Sequence, residues 1–467
     1  MAKKNYIVLP PDKDPKVLGI FTRERGFYRT FFPLLAVIML QQLAALAVNM
    51  VDNLMLGTYT ELSLSGATLV NQIQFTLQQV ASGTGMGIVV LASQYWGQRR
   101  TEPIKRIISL GVKLGLMVGL LFFALARLAP HGILSVFTSD EAVIAEGMRY
   151  LRIISWTYII FAVSNSLMYS LQSVETAAVG TVMSCSTICI NFCLNYCLIY
   201  GNFGFPELGV EGAAWATLAS RIAELIIIAV YVLRIDKKLR MRARDLLIFD
   251  TTYLRDYLRT ASPIAVSGFL WGVAQAAQTA VLGHISASAI AANSIASVVF
   301  QIFVVVATAG SNAASVVIGK TVGAGRLDMV RSYSKTLQGI FLAIGALSGV
   351  LLFALKGTIV GFYTVSDETR ALALQFLTVQ SIMTAGSCYQ MPVMCGIIAG
   401  GGSTKYSALI DNLFMWLLTI PSAALSAFVF GFPPVVTFCC LKAEQLLKAI
   451  PNAIVCARYR WVKVLTK

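Results

Sequence analysis

Apolar runs long enough to cross a bilayer, about 20 residues each, recur from one end of the chain to the other. Within each run the apolar residues follow one another without the strict alternation of a half-buried or barrel strand. A continuous run of this length suits a helix, which closes its backbone hydrogen bonds internally and so can stand in hydrocarbon. Twelve spans are predicted, over 31–57, 64–91, 107–128, 146–172, 178–200, 209–233, 258–283, 289–318, 334–355, 371–398, 407–430 and 435–457. Clusters of turn-forming residues at 57–63, 130–140, 201–206, 400–403 and 431–434 mark breaks between them. The expected fold class is an all-α integral membrane protein with twelve transmembrane helices.

The polar positions between the runs are not distributed evenly. Even-numbered connections hold Arg99, Arg100, Lys105 and Arg106, then a basic stretch from Arg234 to Arg259, then Lys320, Arg326, Arg331 and Lys335, then Lys405. Odd-numbered connections hold Glu61, Asp140, Glu141, Glu207, Asp367 and Glu368, with Lys356 and Arg370 as the exceptions. Basic residues concentrate on the cytoplasmic side of a membrane, so both termini are expected there. The segment 1–30 carries Lys3, Lys4, Lys16, Arg23, Arg25 and Arg29 and has no short apolar core with a small-residue cleavage site, so no cleavable signal peptide is expected. The connection 234–257 is expected to be a cytoplasmic linker, a basic surface helix lying along the headgroups and joining two halves. Residues 458–467 form a basic cytoplasmic tail.

The two halves resemble each other. A shift of 226 residues lays VDNLMLG, ending at Gly57, on QTAVLG, ending at Gly283, and lays VVLASQYWGQRR on SVVIGKTVGAGR. A shift of 227 lays Phe203-Gly204-Phe205-Pro206 on Phe430-Gly431-Phe432-Pro433. Each half has an even number of spans, so the repeats are parallel: an N-lobe over 31–233 and a C-lobe over 258–457. Secondary transporters are built this way, with cargo bound between halves that rock to alternate access. Pro33 and Pro263 sit early in the first helix of each half. Either a packing kink or a bend that changes during transport fits them.

Composition narrows the reading further. Of the 467 residues, 57% are hydrophobic and only 13% charged, where a soluble domain carries roughly a quarter charged. The formal net charge of +15 would suggest nucleic acid in a soluble protein. Here the charges lie in alternate loops, and no nucleic-acid partner is expected. Most of the nine Cys sit inside apolar runs, where free Cys behaves as a small hydrophobe, so no disulfide framework is expected. No GxxxxGK[ST] phosphate loop is present, and the two His, His131 and His284, fall near predicted outer loops without zinc-ligand spacing. An enzyme is therefore not expected. Without ATP, the energy must come from an ion gradient, which requires a cation-binding group inside the membrane.

Four acids lie within spans. Asp52, toward the outer end of the first, has no basic residue one helical turn away. Glu224 has Arg221 one turn earlier, Glu444 has Lys448 four residues on, and Asp411 stands near the cytoplasmic start of its helix; paired or peripheral acids are more often structural. Asp52 is thus the leading functional carboxylate. Asn191 and Asn195 are four apart and share one helix face, so their amides can either coordinate a cation or bind neighbouring helices together. Cys185, Cys189, Cys193 and Cys197 repeat at every fourth position of the same helix and are read as small residues that let helices pack closely.

VDNLMLG, the NQI at Asn71 to Ile73, the ASQYWGQ at Ala92 to Gln98, and above all NFCLNYCLIYGNFGFPELGVEGAAWAT from Asn191 to Thr217 resemble the multidrug and toxic compound extrusion (MATE) family. The resemblance covers nearly the whole chain. It implies export of organic, often cationic or amphipathic compounds in exchange for Na⁺ or H⁺. It also implies a cation site in the N-lobe, formed by Asp52 in the first helix, Asn191 and Asn195 in the fifth, and Thr217 in the sixth. Some relatives have acids in helices seven and ten. The corresponding SPIAVSGFLWG and GSCYQMPVMCG contain none, with Gly268 and Cys388 roughly in their places. No cofactor is expected beyond Na⁺ or H⁺ as the coupling ion. The expected partners are small organic substrates and membrane lipid, and the chain is expected to be a monomer in the inner (plasma) membrane. A flippase for lipid-linked oligosaccharides shares the broader architecture and is the alternative, but it needs a basic cavity for pyrophosphate, and interior Lys and Arg are scarce.

Overall fold

The apolar runs fold into long helices, several of which start at a short polar side chain that caps the backbone. The computed structural model describes residues 21–466 except 139, 249, 284 and 364, and the side chains at 61, 276, 279, 280, 283, 287 and 290 are left aside. Lys3, Lys4, Lys16, His284 and Lys467 lie outside the described residues. The twelve long helices are α1 (Arg25–Tyr59), α2 (Glu61–Gly97), α3 (Thr101–Leu128), α4 (Glu141–Ser173), α5 (Ala178–Tyr200), α6 (Val210–Ile235), α7 (Thr251–Gly283), α8 (Ala287–Gly323), α9 (Leu327–Gly361), α10 (Asp367–Ile398), α11 (Thr404–Val429) and α12. The last runs in three pieces, Pro434–Lys442, Glu444–Leu447 and Ala449–Arg458. Among the described residues there is no strand.

Asp140 caps α4 by accepting the amides of Ala142 and Val143 at 2.9 and 3.4 Å. Ser286 accepts the amide of Ala289 at 3.0 Å and Ser366 that of Thr369 at 3.3 Å, so α8 and α10 start in the same manner. Gly201, at φ 68°, ends α5 in the left-handed conformation that glycine adopts without a Cβ clash. Among the described residues, ten helices are long and apolar enough to cross a membrane. The last helix, α12, is interrupted and carries Lys442, Glu444 and Lys448.

The chain divides into two compact units, and the residues of the long helices α1, α2 and α7 are divided between them. The first unit comprises Leu40–Ala92 and Arg100–Phe269; the second comprises the described residues up to Met39, Ser93–Arg99 and those from Leu270 onward. Leu56, Leu77, Ile154, Tyr158 and Ile199 are fully buried at the centre of the first. Leu282, Leu352, Phe376 and Phe438 centre the second, with the rings of Phe376 and Phe438 stacked at 4.2 Å. Both use the same close approach. A Cβ on Gly119 of α3 would meet the Tyr158 carbonyl of α4 at 2.8 Å, and one on Gly345 of α9 would meet the Ala385 carbonyl of α10 at 2.5 Å. Small residues of this kind let membrane helices touch backbone to backbone, and Gly119 and Gly345 stand 226 residues apart.

The linker differs from the expected surface helix. Only Ala243–Leu247 is helical, and from Thr251 the chain already belongs to α7. Local hydrogen bonds compete successfully with helix here. Asp236 accepts the amides of Lys238 and Leu239 at 3.3 and 2.8 Å, Arg240 takes a positive φ of 49°, and Asp245 accepts the Arg242 amide at 2.9 Å. The Asp250 carboxyl caps α7 and is held below the usual carboxylate range, first by hydrogen bonds from Thr252 and then by Arg106. The tail is also ordered. Trp461 and Val462 are buried, and the Lys463 amide donates to the Gly401 carbonyl at 2.8 Å.

Candidate functional site

Three helices of the first unit converge on Asp52. It stands two turns before the end of α1 and is buried, although no base neighbours it on its own helix. The period of α5 places Asn191 and Asn195 on one face, and both are buried. Thr217, two turns into α6, completes the group. Asn195 Nδ2 donates to Asp52 Oδ1 and lies 3.1 Å from Asn191 Oδ1. Asn191 Nδ2 donates to Thr217 Oγ1 at 3.3 Å, and Thr217 Oγ1 lies 3.5 Å from Asp52 Oδ2. The four residues singled out from the sequence thus form one hydrogen-bonded cluster.

Its chemistry is one carboxylate among neutral oxygen-bearing groups. Asn195 Oδ1 is buried without a hydrogen-bond partner, an acceptor that a cation or a donor would satisfy. Oxygen donors of this kind suit a hard cation rather than a soft one. Among the described residues no three His, Cys, Asp or Glu side chains come together as a metal site. The nearby Arg221 is committed elsewhere: its Nη1 lies 2.6 Å from Glu224 Oε2, and Glu224 Oε1 accepts the Ser164 hydroxyl at 2.9 Å. Glu224 is therefore held in an ion pair, as its spacing from Arg221 suggests.

Sequence reasoning missed Tyr150. This buried α4 phenol lies within interaction range of both Asp52 and Thr217. Nothing in its surroundings along the chain marks it, because only the packing of α4 brings it there. The Cys stripe on α5 also needs correcting. Cys185, Cys189 and Cys193 are exposed, on the face opposite the buried amides, and do not pack against a neighbouring helix as small residues at a close contact would.

The second unit has a different cluster. Gln278, which the 226-residue shift lays on Asp52, accepts a hydrogen bond from Lys442 Nζ at 3.2 Å. Lys448 Nζ lies 2.7 Å from Asp411 Oδ1 and 2.9 Å from Glu444 Oε2. The sequence offered the Glu444 pairing through its four-residue spacing, but Asp411 comes from another helix. Neither Gly268 nor Cys388 supplies a carboxylate. A Cβ on Gly268 would meet the Gln79 carbonyl at 2.7 Å, and Cys388 is buried with Sγ 3.9 Å from the Phe303 carbonyl.

A family model described as MatE matches this chain twice, over residues 38–197 and 263–432. The "Uncharacterized transporter YisQ" of Bacillus subtilis is 22% identical over 383 residues, covering 82% of this chain and 83% of the relative. The "Probable multidrug resistance protein NorM" of Listeria innocua is 23% identical over 398 residues, covering 84% and 86%. Among solved structures, a point variant of the Vibrio cholerae MATE transporter VcmN superposes with a TM-score of 0.84 at 17% identity, over 92% of this chain and 96% of that one. An outward-facing multidrug resistance MATE family transporter gives 0.83 at 16% identity, over 94% and 98%. The structural likenesses establish the twelve-helix fold.

Proposed function

Because this chain belongs to the multidrug and toxic compound extrusion family of efflux transporters, multi-pass membrane proteins that are transporters and not enzymes, we propose that it is a secondary antiporter. It exports small organic compounds, often cationic or amphipathic, in exchange for Na⁺ or H⁺ by alternating access. The observation that carries this reading is the buried Asp52 carboxylate, held by Asn195 and Thr217 with no ammonium or guanidinium paired to it among the described residues. A buried carboxylate is costly unless a proton or cation compensates it.

Asp52 takes up the ion, with Asn191, Asn195 and Thr217 as the neutral ligands. With the carboxylate free, the Asn195 amide N–H faces it. Turning that amide over brings Oδ1 to the carboxylate instead, an arrangement that only a proton or a cation between the two oxygens makes favourable. The site therefore has two internally consistent states, loaded and unloaded. If the loaded cluster favours the outward-facing arrangement and cargo the other, each ligand shifts the population against its rival, which is the coupling that exchange requires. No further cofactor enters this scheme. The protein is placed, as part of the same proposal, in the plasma membrane as a monomer with both termini cytoplasmic. The flippase alternative is not favoured, since the relatives named for a function are multidrug resistance proteins.

The test is efflux of a fluorescent organic cation from reconstituted vesicles, with Na⁺ and pH gradients imposed separately. Asp52→Asn should remove the gradient-driven component while the protein remains folded. Undiminished coupled efflux by that variant would sink the assignment.

A further inference from the structure

At one end of the first unit, the opening turn of α3 and the linker enclose a groove of about 580 Å³. Five basic side chains line it, Lys105, Arg106, Arg240, Arg242 and Arg244, against two acids, Glu102 and Asp245. Both acids are already engaged. Glu102 Oε1 lies 2.8 Å from Lys105 Nζ, and Asp245 accepts the Arg242 amide at 2.9 Å. Among the described residues the four guanidiniums form no ion pair with a carboxylate. Five bases against two acids leave the groove with a net positive excess.

The groove is built rather than incidental. Ser109 Oγ donates to the carbonyls of Leu246 and Ile248 at 2.9 and 2.7 Å, and Lys113 Nζ donates to those of Leu247 and Ile248 at 3.0 and 2.7 Å. Two α3 side chains thus hold the linker in place and aim its arginines at one volume. The positive φ of Arg240, uncommon for a residue with a Cβ, belongs to the same fixed turn.

Arginine forks match phosphate oxygens in pairs, so the ligand class is a phosphate anion. What lies beside the groove identifies its carrier. Leu247 is 81% exposed, and Ile248 is exposed next to it. One turn beyond Lys113, α3 presents Met117, Leu121, Leu125 and Leu128 outward, an unbroken apolar track leading away from the groove. Phosphate-binding groups at the foot of an apolar track match one molecule with both chemistries. We infer that this groove binds the headgroup of an anionic phospholipid, with its acyl chains along the exposed face of α3. Basic pockets beside membrane helices recognise such headgroups by this combination of charge and position.

The experiment measures lipid retention by native mass spectrometry on the full-length protein in mild detergent, titrated with phosphatidylglycerol or with phosphatidylcholine of the same chain length. Wild type should retain phosphatidylglycerol preferentially, and a triple variant, Arg240→Gln, Arg242→Gln and Arg244→Gln, should lose that retention by about tenfold or more. Equal retention of the two lipids by wild type, or unchanged retention of phosphatidylglycerol by the variant, overturns the inference. Glycerol 3-phosphate serves as the soluble arm: competition at concentrations comparable to the lipid would assign the groove to a free phosphate compound and overturn the lipid assignment. All three arginines are exposed, so the variant should fold. If it does not, the single Arg242→Gln carries the same comparison. None of these readouts depends on which ion drives export.

Discussion

Asp52 and Gln278 occupy matching places in the two halves, 226 residues apart, and their surroundings solve opposite problems. Asp52 is an acid among amides and a hydroxyl, while the nearest guanidinium is taken by Glu224. Gln278 is an amide beside an ammonium, that of Lys442. The second half has its acids on other helices: half-buried Asp411 and buried Glu444 bracket Lys448, whose side chain is 2% exposed. There the compensating cation is covalently attached. An acid with a tethered ammonium has no need of an ion from solution, whereas an acid held only by neutral dipoles does. Two units of one fold can therefore share close helix contacts while differing in how their interior acids are compensated.

That contrast can be broken experimentally, and the largest effect is expected at Asp52. Replacing it with Asn should reduce gradient-driven efflux to the level of vesicles without protein. Next comes Lys448→Met, which strips the ammonium from buried Glu444 and half-buried Asp411 and should cost about 3–5 kcal/mol of stability. Thermal unfolding in detergent micelles measures it, and adding Glu444→Gln should recover part of the loss. A stability unchanged by Lys448→Met would mean that the second half does not rely on its internal cation.

Asn195→Ala should be milder. It removes one partner of Asp52, worth about 1–3 kcal/mol when the remaining group stays buried, and should raise the half-saturating ion concentration while leaving efflux at saturating ion largely intact. The reverse pattern, normal ion affinity with slow export, would move Asn195 out of the ion site. Gln278→Asp sharpens the comparison from the other side. The introduced acid meets Lys442 and should form an internal pair, leaving the number of ions exchanged per cargo unchanged; a second coupled ion would show that shape alone makes a site. The smallest effect belongs to Cys189→Ser on the exposed face of α5, within about 0.5 kcal/mol in stability and with no change in transport.

Much of this was legible along the chain because it depends on local periodicity. Asn191 and Asn195 share a face through helix geometry alone, and Arg221–Glu224 and Glu444–Lys448 pair within a single turn. Asp52 was conspicuous as an acid in an apolar run without a nearby base. Tyr150, Asp411 against Lys448, and Lys442 against Gln278 were not legible, since each pairing joins residues from separate helices. The linker misled for another reason. Its basic residues resemble a headgroup helix, but Asp236 and Asp245 draw backbone amides into turns.

The sequence by itself determined the twelve helices, the internal repeat and the lone acid in the first apolar run, because hydropathy and helical period act over neighbouring residues. Only the tertiary structure decided which acids are neutralised from within, which face of α5 is buried, and that the linker's arginines gather around one groove. Charge compensation depends on distance in space, and helices far apart along the chain set that distance only when they pack.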